Sequence, residues 1–133
     1  MNPIDALFRR LCSQGRRAFI PFLTAGDPDL AGTAKLVEEA ARRGASLIEI
    51  GFPYSDPIAD GPVIQASYTR ALAKGVRVAD VFGCICDVAK SPALVDRQVP
   101  LVGMTSYTLV HHCGVSAFLS RAQTSGLSGL TFT

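Results

Sequence analysis

Residues 46–51 read SLIEIG and residues 52–62 read FPYSDPIADGP. The first is a short apolar run broken by one carboxylate. The second is a loop stiffened by Pro53, Pro57 and Pro62. An apolar run of this length, bounded by Gly44 and Gly51, reads as a buried strand. Side chains alternate along a strand, so Glu49 shares a face with Leu47 and Gly51.

Working outward, the neighbouring segments alternate between strand and helix. Upstream, residues 18–23 (AFIPFL) form a second buried strand that ends at Thr24-Ala25-Gly26. Between the two strands, Asp27 reads as a helix cap with Pro28 at the first position. Leu30, Ala34, Val37 and Ala41 make its apolar stripe, and Gly44 stops it. Residues 3–11 carry Ile4, Leu7, Phe8 and Leu11 at helical spacing, capped by Asn2. Downstream come helices over 63–73 and 78–89, separated by Gly75, and a third strand over 99–107 (VPLVGMTSY). A helix over 115–123 with Phe118, Leu119 and Ala122 on one side ends at Gly126. Residues 127–133 begin a fourth strand. Continuous apolar strands alternating with helices predict a parallel α/β sheet covered on both faces. A four-stranded open sheet is one solution. The other is a (β/α)8 TIM barrel, which typically needs about 250 residues. The chain then holds about the first four βα units, with residues 1–133 as the N-terminal half of one barrel domain. The pattern stops inside a strand at Leu130-Thr131-Phe132-Thr133, which reads as a truncation.

Composition narrows the class. Of 133 residues, 48% are hydrophobic and 18% charged, with a net charge of +2. That charge is too small to argue for nucleic acid or an acidic membrane, and Arg9, Arg10, Arg16 and Arg17 read as a solvated face. No apolar run approaches the roughly 20 residues of a membrane span, and the N-terminus lacks a signal-peptide pattern, so a cytoplasmic protein is expected. Cys12, Cys84, Cys86 and Cys113 include no Cys-x-x-Cys pair, and i and i+2 on a helix do not face each other. They read as reduced, small core residues. His111 and His112 have no acidic or Cys partner nearby, so no metal site is expected.

Several residues invite a chemical reading. A carboxylate on an interior sheet face is desolvated, which raises its pKa toward the range useful for proton transfer. Glu49 also sits near the C-terminal end of its strand, where barrel enzymes hold catalytic groups. The alternative is a buried Glu paired with an Arg. Asp60, just before Gly61-Pro62, is either a helix cap or a site residue. Asp56, in Ser-Asp-Pro, is either a turn residue or a site residue. Phe22 and Tyr107, at strand ends, are either core or pocket. No Gly-rich phosphate loop is present.

The stretch from Ile48 to Gln65, IEIGFPYSDPIADGPVIQ, resembles the signature of the tryptophan synthase α-subunit family. FIPFLTAGDP, from Phe19, resembles that family's first strand and turn, and Asp5-Ala6-Leu7-Phe8 its leading helix. The likeness runs over the whole chain and about the first half of the family's length. It implies a (β/α)8 barrel lyase that cleaves indole-3-glycerol phosphate to indole and glyceraldehyde 3-phosphate by a retro-aldol route. By resemblance, Glu49 is the proton-transfer residue and Asp60 stabilises positive charge on the indole nitrogen. Phe22 and Ile64 line the apolar pocket, and Pro53 and Asp56 contact the β subunit. The likeness implies no cofactor in this chain and pyridoxal phosphate in the β partner. At Ser106 and Thr108 the sequence departs from the family, which often has an aromatic and an Asn there. The family's phosphate site belongs to later βα loops. The competing readings are another phosphate-binding barrel, which the signature disfavours, and a non-catalytic half-barrel that only binds or activates a β subunit.

Overall fold

The computed structural model describes residues 1–133. Its four strands, β1 (Phe22–Thr24), β2 (Ile48–Gly51), β3 (Leu101–Thr105) and β4 (Leu127–Phe132), form one sheet in the order β1-β2-β3-β4. Every pairing is parallel. Seven helices intervene or precede: α1 (Pro3–Ser13), α2 (Leu30–Arg42), α3 (Pro62–Ala73), α4 (Val78–Ala89), α5 (Pro92–Val95), α6 (Tyr107–Cys113) and α7 (Val115–Ser125). Sequential parallel strands joined by helical crossovers are the repeating unit of a (β/α)8 barrel. The architecture is that of three consecutive βα units and the strand of a fourth.

The strands are shorter than the sequence suggests. β1 begins only at Phe22, although residues 18–23 were expected to be strand. Pro21 has no N–H to donate to a ladder. Its carbonyl still accepts from Glu49 N–H at 3.0 Å. The strand expected over 99–107 ends at Thr105 because the Ser106 side chain accepts from Leu109 N–H at 3.0 Å and starts α6. Tyr107 therefore opens a helix and is 59% exposed, rather than ending a strand. The short helix α5 has its own Ser91 cap and was not expected. The cap of α2 is Asp29, whose Oδ1 accepts from Gly32 N–H at 2.6 Å. Asp27, the expected cap, instead pairs through both oxygens with Arg70.

The two faces of the sheet differ. Ile48, Ile50 and Leu101 point to the helical side and join an 18-residue core. At its centre Phe52, Phe82 and Phe118 meet with centroids 5.0 to 5.5 Å apart. The opposite face carries a cluster of only four buried residues, Leu7 and Leu11 of α1 against Leu47 and Val102. Coverage is thus full on one side and partial on the other, contrary to the expectation of two covered faces. In barrel geometry the sparse face is the interior, which other strands fill. The cysteine expectation also changes: Cys12 and Cys113 are exposed, and Cys84 and Cys86 half-buried.

Candidate functional site

The candidate site lies on the sparse face, at the C-terminal ends of the strands. The registers pair Phe22 with Glu49, Glu49 with Val102 and Val102 with Gly129. One step along, Thr24 pairs with Gly51, Gly51 with Met104 and Met104 with Thr131. In-register partners share a face, so these are two successive rows of the interior. Glu49 is half-buried and lines a trough of about 330 Å³ with Ile4, Ile20, Leu47, Val102, Gly129, Leu130 and Thr131. The ion pairs of the chain join Arg42 to Glu38 and Glu39, Arg43 to Glu39, Arg70 to Asp27 and Arg77 to Asp80. Glu49 belongs to none of them, so no Arg of these 133 residues pairs with it.

Helix α3 sits over this end of the sheet. Its buried residues are Ser67, Tyr68 and Ala71, and Ile64, half-buried, lies on the same side at i−3 and i−4. Thr24 Oγ1 and Ser67 Oγ are 2.7 Å apart and buried, and Ser67 Oγ donates to the Ile64 carbonyl at 2.7 Å. These bonds tie α3 to β1. Gln65 Nε2 donates to the Asp60 and Pro57 carbonyls at 2.7 and 3.2 Å, which fixes the end of the loop against the helix. The cap position of α3 is Gly61, with no side-chain cap bond. Asp60 is therefore not the helix cap, and its half-buried carboxylate is free for other work.

Tyr68 ties these parts together, and the sequence reading did not single it out. It is 3% exposed. A Cβ built on Gly51 would meet the Phe22 ring at 2.5 Å and the Tyr68 hydroxyl at 3.0 Å. Only a glycine at 51 leaves room for both. Burial raises the pKa of the phenol, and the negative charges of Asp60 and then Glu49 raise it further. The charges of both carboxylates thus act on the same phenol. At a helical spacing, Tyr68 reads in sequence as ordinary core.

The remaining expected residues separate. Asp56 is exposed, and its carbonyl accepts from Ile58 N–H at 2.9 Å, a turn made by backbone rather than by its side chain. Pro53 is buried and lines a cavity of about 390 Å³ with Tyr54, Ser55, Val76, Thr108 and His112, among others.

A family model described as tryptophan synthase alpha chain matches residues 8–133. The chain belongs to the tryptophan synthase alpha chain family. The family's alpha chain from Synechocystis sp. is 48% identical over 130 residues, 98% of this chain and 47% of that relative. The alpha chain of Microcystis aeruginosa is 46% identical over the same share of each. The chain thus spans about half the length of the curated relatives it matches. Among solved structures, tryptophan synthase subunit alpha from Legionella pneumophila superposes with a TM-score of 0.91 at 32% identity. That match covers 98% of this chain and 48% of the other. A tryptophan synthase α2β2 complex from Pyrococcus furiosus matches with a TM-score of 0.74 at 39% identity, covering 85% and 43%. These likenesses give the family's enzyme class, lyase, and its barrel fold.

Proposed function

We propose that residues 1–133 are the N-terminal half of a barrel domain that cleaves indole-3-glycerol phosphate to indole and glyceraldehyde 3-phosphate. Glu49 delivers a proton to indole C3. The same carboxylate then accepts the proton of the glycerol hydroxyl beside the breaking carbon–carbon bond. The hydroxyl carbon becomes a carbonyl, and the bond's electron pair returns to the ring, discharging the ring nitrogen. Asp60 faces the positive charge that builds on that N–H in between. Phe22 and Ile64 form apolar walls for the ring.

The observation that supports this reading is the convergence of Glu49, Asp60 and Phe22 on one end of the interior face, around Gly51 and Tyr68. One carboxylate lies in an apolar trough, suited to proton transfer, and the other ends a loop pinned by Gln65. Asp56 and Pro53 belong to the face that meets a β subunit, and the cytoplasm is where the pair works. The chain itself needs no cofactor for this step; pyridoxal phosphate belongs to the β partner.

Asp56 is exposed on the loop after β2, within reach of a partner, which favours one second reading: a half-barrel that binds or activates a β subunit without cleaving substrate. Joining residues 1–133 to the second half of the Synechocystis relative's barrel separates the two. Release of indole from indole-3-glycerol phosphate supports the lyase. Activation of a β subunit without indole release supports the binding role.

A further inference from the structure

The arginines near the N-terminus, which read in sequence as a solvated face, divide in the structure. Arg10 and Arg16 line a cavity of about 200 Å³ together with Arg42 and Arg97, while Arg9 and Arg17 do not. Ser46 and Val99, which precede β2 and β3, form part of its wall. The cavity therefore lies at the N-terminal ends of the strands, away from the site proposed for the reaction. No aspartate or glutamate lines it. All its lining residues fall within residues 7–99, so this chain supplies the whole wall.

Helix ends account for two of the four charges. Arg10 and Arg42 stand in the last turns of α1 and α2, where a cation offsets the negative end of the helix dipole. Arg42 also pairs with Glu38 and Glu39, at 3.3 and 3.5 Å. Arg16 and Arg97 lie beyond the ends of α1 and α5 and have no such cause. Arg10 Nη1 donates to Gln98 Oε1 at 2.9 Å, Arg16 Nη1 to Gln14 Oε1 at 3.5 Å and Arg97 Nη1 to the Ala93 carbonyl at 3.4 Å. All three acceptors are neutral, and each of these guanidinium groups has five N–H donors. Like charges brought to one cavity repel, and no carboxylate offsets Arg10, Arg16 or Arg97.

We propose that this cavity binds a phosphate group, either as inorganic phosphate or carried by a small phosphorylated molecule. The guanidinium fork matches phosphate oxygens two at a time. A phosphate seated among the four arginines replaces repulsion by attraction. It also bridges α1, the end of α2 and the turn before β3. The volume lies below the roughly 300 Å³ at which pockets for drug-sized ligands begin, which restricts the enclosed part of the ligand to its phosphate. All four arginines keep access to solvent, so the rest of such a ligand extends into water. The assignment is independent of the lyase reading.

Calorimetric titration of the 133-residue chain with inorganic phosphate and with glycerol phosphate tests it. The later βα loops, to which the resemblance assigns the family's phosphate site, lie outside residues 1–133. Saturable binding at millimolar or lower concentration is expected. Arg16→Gln and Arg97→Gln each weaken it about tenfold, the worth of a hydrogen bond to a charged group. Arg9→Gln and Arg17→Gln leave it unchanged. Tighter binding of glycerol phosphate identifies the ester as the occupant, and the reverse order identifies the free ion. No saturable binding overturns the proposal, and so does an equal loss from all four substitutions, which marks general charge attraction. Thermal unfolding adds a second readout. Without phosphate, Arg16→Gln and Arg97→Gln melt no lower than wild type, because one repelling charge is gone; with phosphate, wild type melts higher than either. Variants that melt lower without phosphate make these arginines structural and overturn the site. A gain from phosphate shared equally by wild type and variants reflects exclusion of the ion from the protein surface and overturns it too.

Discussion

At the residue scale, Asp60 distinguishes a structural account of this site from a chemical one. It ends the proline loop but does not cap α3, since Gly61 occupies the cap position. Asp60→Asn is therefore expected to change stability by no more than about 0.5 kcal/mol, the ordinary range for a substitution that breaks no structural contact. In the joined barrel it removes most indole release. Thermal unfolding beside a turnover assay checks this, and a large fall in melting temperature with activity intact would return Asp60 to a structural role. Glu49 was legible in the sequence because a single carboxylate in an apolar strand is anomalous at any resolution of reading. Tyr68 was not. Its spacing with Ile64 and Ala71 is that of any buried helical face, and only the three-dimensional approach to Gly51 shows where its hydroxyl lies.

At the element scale, the order of strands and helices was legible and the boundaries were less so. Hydrophobic runs mark what a closed barrel buries, not where a strand begins. Residues 18–21 look like strand, yet Phe19 and Ile20 are exposed and β1 starts at Phe22. A serine at a strand end gives no apolar signal, so the Ser106 cap and α6 stayed hidden in the expected third strand. Two aspartates two residues apart compete for one cap, and the backbone bonds decide for Asp29. Asp29→Ala is expected to cost about 1 kcal/mol of stability, the usual worth of a cap, as read by urea unfolding; a neutral result would contradict the assignment. Asp27 has a different task. Arg70 hydrogen-bonds its carboxylate and holds its pKa below the ordinary value, joining the loop after β1 to α3. A carboxylate depressed in the folded state stabilises above its unfolded pKa, near 3.9. That contribution disappears as the pH falls through the lower folded value. Wild type should therefore melt above Arg70→Gln at pH 7, and the gap should close as the pH drops below about 4. A gap that persists in acid would show that the pair is not its source.

At the scale of the whole molecule, the controlling feature is the unequal covering of the sheet. Helices bury one face, while α1 covers only part of the other. Both outer strands are unpaired on one side, and Ile20 and Phe132 beside them are 43% and 48% exposed. Open edges next to apolar side chains promote strand pairing between molecules. The purified 133-residue chain is expected to associate as its concentration rises, and sedimentation velocity should show it; a monomer at all concentrations would mean that α1 suffices to shield the interior. The sequence predicted a barrel's half but not this asymmetry, because an interior row such as Phe22, Glu49, Val102 and Gly129 reads as buried whether or not anything faces it. The proposed reaction requires that same row to be closed over. The most direct measurement is indole release from indole-3-glycerol phosphate by residues 1–133 joined to a relative's second half-barrel, wild type against Glu49→Gln. Indole is expected from the first and a loss on the order of 10²- to 10⁴-fold in the second, with the fold intact. A Glu49→Gln barrel that retains more than about a tenth of the wild-type rate would contradict it.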